Sequence, residues 1–327
     1  MAVEIPTRPL ARKAPESPRG RGTHREFRLR LFSLEVRFAP YAYVAPFFVL
    51  FAAFGLFPLL YTIYISFTQF RLGGAPMRWT GLDNYRWLFS SDAFWNALWN
   101  TFTIAVISTV PQLLFSLGLA HLLNYNMKVR NFFRISMIMP YATSLVAAAL
   151  VFNTFFANDA SGIANYLLSL VGAHPVSWTN GNWTAQIAIS VIVTWHWTGY
   201  NALIYLAGMQ SISTDLYESA SLDGASRFGQ FLHVTLPGLR PTILFTIVVS
   251  TIGATQLFTE PFLFAGNASG GALGQYQTLT LFMYQQGFQF GSLGRAATVA
   301  CVSLILIIGL VLLNTGLARW RTRERPA

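Results

Sequence analysis

One polar segment of the chain, Tyr217–Pro241, combines residue types suited to recognising another protein. It offers an exposed carboxylate, a glycine that permits a tight turn, and an apolar face in which Phe228, Phe231 and Val234 recur at three-residue spacing. Ser213 precedes it as a candidate helix N-cap. The pattern predicts two short helices joined by a turn that dock on a partner. The positions with these roles are Glu218, Ala220, Asp223, Gly224, Phe231 and Pro237.

A second set of residues could bind a sugar. Aromatic rings stack on the C–H faces of a pyranose, while amides, hydroxyls and carboxylates bond its hydroxyl groups. Such side chains lie inside long apolar runs, most densely at 195–201. Membrane tryptophans also serve as packing residues or interfacial anchors, so that alternative stays open. The candidate substrate-binding residues are Tyr141, Ser144, Trp195, Thr198, Gly199, Ser250 and Gln256.

Residue patterns typical of enzymes are missing from the sequence. No two of the five histidines stand at metal-ligand spacing, and the single cysteine, Cys301, lies in an apolar run. No glycine-rich loop is followed by Lys-Ser or Lys-Thr, so the chain is not expected to bind ATP itself. The glycine-rich Ser269–Gly274 predicts a flexible turn. We therefore expect no catalytic residues, no metal and no cofactor.

Composition indicates the elements that carry these residues. Only 10% of the 327 residues are charged, against roughly 25% in soluble domains. Six segments exceed the roughly 18 apolar residues needed to cross a bilayer. They must be helices, because a backbone in lipid has to satisfy its own hydrogen bonds. The sequence predicts an all-α membrane domain over 40–318, with spans at 40–67, 99–124, 133–156, 185–209, 242–264 and 296–318.

The distribution of basic residues predicts the orientation. Eighteen of the 22 Lys and Arg residues lie in the two ends of the chain and in the loops after the second and fourth spans. This positive-inside bias places both termini and the loop 213–241 in the cytoplasm. It also accounts for the net charge of +10 without nucleic-acid binding. Residues 1–39 are expected to form a disordered basic tail, and 319–327 a second basic tail.

The spacing within Tyr217–Pro241 resembles a known motif. Glu218, Ala220, Gly224, Val234 and the Leu-Pro pair at 236–237 match the pattern E-A-A-x3-G-x9-I-x-L-P, apart from serine at 219 and valine at 234. This is the EAA loop of bacterial ABC-importer permeases.

The resemblance implies the type I ABC-importer permease fold, with six helices, both termini cytoplasmic, and cytoplasmic coupling helices. Glu218 would pair with a basic group of the ATPase, and Gly224 would form the turn. The implied partners are a second homologous permease subunit, two ATP-binding cassette subunits and an extracytoplasmic sugar-binding protein. The implied location is the bacterial plasma membrane, which is the inner membrane where there are two.

Other short motifs are similar to the carbohydrate-uptake branch, specifically to the larger membrane subunit of maltose-type permeases. Gly81–Tyr85 matches its G-L-x-N-Y, and the loop carries its Asp-Gly-Ala form at 223–225. The resemblance implies import of a carbohydrate, with a di- or oligosaccharide expected. It places the sugar site at Tyr141, Leu145, Trp195, Thr198, Gly199, Ser250 and Ala254.

Two alternatives remain at this stage. A secondary carrier would work without ATP, but it usually needs ionisable residues in its spans. Glu260 is the only acid in the six predicted spans, and it is expected to reach interfacial water from a helix end. A permease for a non-sugar solute such as glycerol phosphate is the other alternative. Its phosphate would favour a cation in the pocket, whereas basic residues occur only at span boundaries.

Overall fold

The computed structural model describes residues 39–74, 76–124, 130–266 and 268–323. The described residues fall into two compact units, one ending at Leu60 and one beginning at Tyr61. Predictions for residues 1–38 and 324–327, which include most of the amino-terminal tail, lie outside the described residues.

The described part of the chain is almost entirely helical. One short antiparallel hairpin joins β1 (Thr68–Gln69) to β2 (Arg78–Trp79), with Thr68 opposite Trp79. Single π-helical turns occur at Ala52–Leu56, Phe231–Thr235 and Gln285–Gln289. The α-helices are α1 (Ala39–Ser66), α2 (Asp83–Phe89), α3 (Asp92–Asn124), α4 (Arg130–Ala142), α5 (Leu145–Phe155), α6 (Ile163–Leu170), α7 (Asn182–Gln210), α8 (Thr214–Leu222), α9 (Arg227–Gln230), α10 (Leu236–Gly238), α11 (Arg240–Thr255), α12 (Thr259–Leu263), α13 (Leu279–Tyr284) and α14 (Leu293–Arg323).

The first unit is helical from Ala39. Its aromatic side chains are exposed, with Phe47 63% and Phe54 79% accessible. The rings of Phe47 and Phe51 stack on one another at 6.2 Å. An apolar helix with this exposure is expected to face lipid or another protein.

Four helical segments among the described residues are long and apolar enough to cross a membrane: Ala39–Ser66, Asp92–Asn124, Arg240–Gly266 and Leu293–Gly316. The pair Asn131–Ala142 and Leu145–Phe155 makes a fifth if it is one span. Helix α7 has sufficient length at 29 residues, but its many polar side chains keep it out of this group. Length and composition thus give four or five apolar spans.

The predicted third span, 133–156, is not one straight helix. Its two halves, α4 and α5, meet at an angle of 92°. The break follows Pro140, which has no N–H to donate to the preceding turn. Thr143 then bonds the Pro140 carbonyl at 3.2 Å, and Ser144 takes an extended conformation (ψ 127°). Residues around this bend are therefore turned out of a regular helix.

The core is built around α3 and α7, which pack along their length. Side-chain hydroxyls join them at three levels: Thr103 donates to the Gln186 side-chain oxygen at 2.6 Å, Thr194 to the Ser108 carbonyl at 3.2 Å, and Ser116 to the Thr198 carbonyl at 2.8 Å. Buried apolar clusters lie at three places in this framework. Their central residues are Ile104 and Ile189; Phe94, Phe282 and Val299; and Tyr205, Met209 and Leu239.

Candidate functional site

The helix–turn–helix predicted in the loop 213–241, called here the docking loop, is present as α8 and α9. Gly224 follows the C-cap residue of α8, Asp223, and has φ of 78°. Its N–H bonds the Ser221 carbonyl at 3.1 Å, and the Ala225 N–H bonds the Ala220 carbonyl at 2.9 Å. This bond pair is the Schellman arrangement that ends a helix at a left-handed residue. The predicted turn at Gly224 is confirmed.

Side-chain hydrogen bonds fix the shape of the docking loop. The Ser213 hydroxyl caps α8, as predicted, by accepting a backbone N–H at 3.3 Å. The Gln230 amide donates to the Ser221 hydroxyl at 2.8 Å and so ties α9 to α8. The hydroxyl groups of Tyr217 and Thr235 lie 3.0 Å apart, joining the start of the loop to its end. The loop is therefore a single bonded unit.

Phe231 anchors this unit to the helices beneath it. Its ring lies 4.5 Å from that of His121 near the end of α3. It also packs against the buried cluster that contains Tyr205 and Met209 of α7. Phe231 thus lies between the loop and the helices, where it can transmit movement but offers little to a partner.

The outer tip of the docking loop is apolar and exposed. Leu222, the last residue of α8, is 90% accessible, and Phe228 is 69% accessible. The acidic side chains of Glu218 and Asp223 are exposed beside them. Pro237 is exposed too, but it lies in α10, beyond the tip. The sequence analysis did not identify Leu222, although an apolar residue two positions before the turn glycine could have indicated it.

A compact aromatic cluster surrounds Tyr141 at the bend between α4 and α5. Tyr141 stacks on Tyr200 with ring centroids 4.7 Å apart, and it lies 5.4 Å from Trp197 and 5.6 Å from His196. Tyr141 remains 39% accessible. We refer to Tyr141, His196, Trp197 and Tyr200 as the aromatic cluster. Tyr141 therefore lies against three residues of the 195–201 run.

His196 is the buried member of this cluster. The residue is only 5% accessible. Its Nδ1 has no hydrogen-bond partner among the described residues. Ser144 lies just past the bend and is exposed. The break in the helix thus presents Tyr141 and Ser144 on an accessible surface supported by a buried histidine.

Trp195, Thr198 and Gly199 line a separate groove of about 630 Å³ between α3, α4 and α7. The Trp195 ring packs edge-on against Phe152, 5.2 Å away. The groove wall is largely apolar, and the Thr198 hydroxyl is bonded to its own helix at the Thr194 carbonyl (2.5 Å). The three predicted sugar residues of α7 therefore line this groove and not the aromatic cluster around Tyr141.

Gly199 has a packing role. A Cβ at this position would overlap the Met137 carbonyl on α4. The missing side chain lets the two backbones approach closely, as small residues commonly do between membrane helices. Gly199 therefore allows α4, and with it Tyr141, to lie close against α7.

The remaining predicted residues lie on or after α11. Ser250 is half-buried on this helix, and Gln256 is exposed at its end. Glu260 follows on α12 and is only 6% accessible. The expectation that Glu260 reaches interfacial water from a helix end is wrong, because α12 packs against α5 and α7 and its Glu260 side chain is buried.

The glycine-rich segment after α12 is more ordered than the predicted flexible turn. Asn96 and Asn100 of α3 each donate to the Gly274 carbonyl at 2.7 Å. Gln186 of α7 donates to Asn100 and to the Gln275 carbonyl at 2.9 and 3.1 Å. Because these hydrogen-bond partners are far apart in the sequence, no local sequence pattern could predict the bonds. The segment is bonded across the ends of α3 and α7.

Tyr276 lies in the same segment. Its ring is fully buried, and its hydroxyl donates to the Phe264 carbonyl at 3.3 Å. Burial raises the pKa of Tyr276 to about 12, since the phenolate would lose its hydration. The group therefore remains a protonated donor at physiological pH.

No group of three His, Cys, Asp or Glu side chains that could hold a metal ion occurs within residues 39–74, 76–124, 130–266 and 268–323. What the site offers is recognition, by exposed acids and apolar side chains on the loop and by aromatic rings at the bend.

The docking loop and the aromatic cluster both lie in a region that matches a known protein family. The model of the family described as "Binding-protein-dependent transport system inner membrane component" matches residues 112–322. The matched region contains the docking loop and the aromatic cluster.

Curated relatives match across most of the chain. The arabinooligosaccharides transport system permease protein of Bacillus subtilis (strain 168) is 34% identical, over 86% of this chain and 88% of its own length. The lactose transport system permease protein of Rhizobium radiobacter is 36% identical, over 85% of this chain and 93% of its own.

A chain from the crystal structure of a bacterial ABC transporter that imports the acidic polysaccharide alginate has the same fold. It superposes with a TM-score of 0.75 and 24% identity, covering 89% of this chain and 98% of that one.

Proposed function

The chain belongs to the family of inner-membrane components of binding-protein-dependent transport systems, and we propose that it is the membrane-spanning permease subunit of an ATP-driven ABC importer for a carbohydrate. The observation that carries the proposal is the identity of 34% and 36% with two permeases named for sugar transport, each over more than four fifths of the chain. Family members are permease subunits of the plasma membrane and not enzymes, since separate chains hydrolyse ATP. A di- or oligosaccharide is the proposed substrate.

We further propose six spans with both termini in the cytoplasm. The bent pair α4–α5 would be the third span and α7 the fourth. Polar side chains of α7 bond to α3, with Gln186 donating to Asn100 and Thr194 to the Ser108 carbonyl, so its low apolar content is compatible with burial inside a membrane bundle. The bias of Lys and Arg toward the ends and alternate loops supports the orientation.

The docking loop is proposed to bind the ATPase subunit through its tip. Leu222 and Phe228 would enter an apolar cleft of the partner, while Glu218 and Asp223 would meet basic groups at its rim. Gly224 sets the angle between the two helices. A second homologous permease, a pair of ATPase chains and an extracytoplasmic sugar-binding protein would complete the transporter.

The proposed sugar contacts start from Tyr141 and Ser144, which the bend exposes beside Tyr200 and Trp197. Irregular backbone at membrane depth is tolerated where it lines a protein cavity, and the bend fits that rule. Trp195 and Thr198 face the neighbouring groove, and Ser250 and Gln256 lie on or at the end of α11. Trp195, Thr198, Ser250 and Gln256 lie outside the aromatic cluster. They would contact the sugar at another stage of its passage, or where this chain faces the second permease.

The deciding experiment is uptake of labelled sugars by the reconstituted importer, with a catalytically inactive ATPase as control. We expect concentrative uptake of a di- or oligosaccharide that requires both active ATPase and binding protein. Persistent accumulation with the inactive ATPase would establish a secondary carrier instead. Selective uptake of glycerol phosphate or another phosphorylated solute, with no response to saccharides, would overturn the carbohydrate assignment.

A further inference from the structure

A small polar cavity of about 230 Å³ lies away from both features described so far. It forms where the end of β1, the helix α2 and the start of α14 meet. Arg71 and Arg295 line it from opposite segments, together with Asp83, Asn84 and Trp87. It shares no residue with the aromatic cluster or the docking loop.

The cavity has a bonded backbone frame. The Leu72 N–H bonds the Gly291 carbonyl at 2.8 Å, and the Gly294 N–H bonds the Phe70 carbonyl at 3.1 Å. The Asn84 amide donates to the Ser66 and Thr68 carbonyls at 2.9 and 2.8 Å. These bonds hold the segments that carry the two arginines in fixed register.

The charges in the cavity are not balanced. Within the described ranges, neither Arg71 nor Arg295 makes a side-chain hydrogen bond or an ion pair with a carboxylate. The Arg295 guanidinium stacks over the Trp87 ring at 4.2 Å. Asp83 lines the cavity too, but its carboxylate is 68% accessible and lies 3.7 Å from Arg86.

The position of Arg295 adds to this imbalance. It lies in the first turn of α14, a helix of 31 residues. A positive side chain is disfavoured there, because the N-terminal end of a helix already carries partial positive charge. Two guanidinium groups and a helix start thus converge on one polar cavity, an arrangement that an anion would stabilise.

We propose that this cavity, called here the arginine pocket, receives a carboxylate side chain of the extracytoplasmic binding protein when it docks. The inference rests on the proposed function and orientation, in which β1, α2 and the start of α14 face outward. The volume suits one acidic side chain with a few water molecules and is too small for an oligosaccharide. A guanidinium held by stacking on Trp87 is pre-oriented for the paired N–H···O bonds that arginine makes with carboxylates.

The test uses the assembled importer in lipid nanodiscs and the sugar-loaded binding protein. Arg71→Gln and Arg295→Gln are compared with Arg78→Gln, which removes an exposed arginine on the adjacent strand outside the pocket. Affinity is measured by biolayer interferometry at three salt concentrations. Each pocket variant should bind about tenfold more weakly and with a shallower salt dependence, since one ion contact is lost. Arg78→Gln should bind as the wild type does.

Arg295→Lys provides a second check, because it keeps the charge but loses the planar fork and the stacking. Its affinity should fall between those of the wild type and Arg295→Gln. If Arg295→Gln fails to assemble, Arg71→Gln decides, since the Arg71 side chain is exposed.

Three results would overturn the arginine pocket while leaving the proposed function intact. The first is wild-type affinity and salt dependence in both glutamine variants of a transporter that still imports sugar. The second is unchanged binding-protein affinity with a raised KM for the solute, which would make the pocket a solute site. Repeating the measurement in nanodiscs with and without phosphatidylglycerol tests a lipid headgroup. An effect that requires this anionic lipid would also overturn the proposal. Absence of ATP-dependent uptake by the wild type would instead contradict the proposed function itself.

Discussion

Replacement of Gly224 tests whether the shape of the docking loop, separately from its contacts, couples the permease to ATP. Gly224 has φ of 78°, and an added Cβ would have no atom within 4 Å. Gly224→Ala therefore causes no clash within the chain. The substitution destabilises the turn only because alanine disfavours the left-handed backbone conformation, by roughly 1–2 kcal/mol. If the docked loop requires this conformation, affinity for the ATPase should fall by about 5- to 30-fold.

The matched control is Gly224→Asn, since asparagine adopts the left-handed conformation much more readily than alanine does. Co-purification of the ATPase and substrate-stimulated ATP hydrolysis should rank wild type, then Asn, then Ala. Both variants should insert into the membrane normally, because the loop lies outside the spans.

Equal loss in Gly224→Asn and Gly224→Ala would refute the reasoning. The cost would then come from any side chain at this position, which would mean that the ATPase surface approaches the glycine closely. Wild-type coupling in both variants would show that the turn conformation does not matter.

Three further substitutions probe the other parts of the site. Glu218→Lys should weaken ATPase co-purification most at low salt, because it reverses an exposed charge expected to face a basic partner; unchanged association would contradict that pairing. Tyr141→Ala should raise the KM for sugar uptake about tenfold while Tyr141→Phe stays near the wild type, since stacking needs only the ring; equal loss in both would point to the hydroxyl. Gly199→Ala should destabilise the detergent-solubilised protein by about 1–3 kcal/mol, because the new Cβ overlaps the Met137 carbonyl. Gly253→Ala is the control and should not destabilise it, since nothing lies within 4 Å of a Cβ there. Equal melting temperatures of the two variants would exclude the close approach of α4 and α7.

Features encoded by local sequence were predicted well. The apolar runs placed the first helix at 40–67 and the structure has Ala39–Ser66; the second was placed at 99–124 and runs from Asp92 to Asn124. The turn at Gly224 and the cap at Ser213 were also predictable, because each depends on hydrogen bonds within a few residues.

Features that depend on distant partners could not be predicted. Asn100 and the Gly274 carbonyl are 174 residues apart in the chain, so no local pattern in the glycine-rich segment could predict the hydrogen bond between them. The bend after Pro140 was missed because membrane helices often continue through proline. The sequence analysis assigned Trp195 and Tyr141 to one sugar site because of their residue types. In the structure, Trp195 packs against Phe152, and it is Trp197, two residues further along α7, that packs against Tyr141.

The helix α7 physically connects the two halves of the site. It ends at Gln210, four residues before the start of α8, so movement of the docking loop acts on it through a short connection. Tyr200 lies ten residues earlier, about 15 Å along the helix at 1.5 Å per residue. Phe231 couples the loop to Tyr205 and Met209 of the same helix, and Gly199 keeps α4 in backbone contact with it. Closure of the ATPases around the loop would therefore shift α7 against α3, and Tyr141 would move with it because its helix, α4, packs closely against α7.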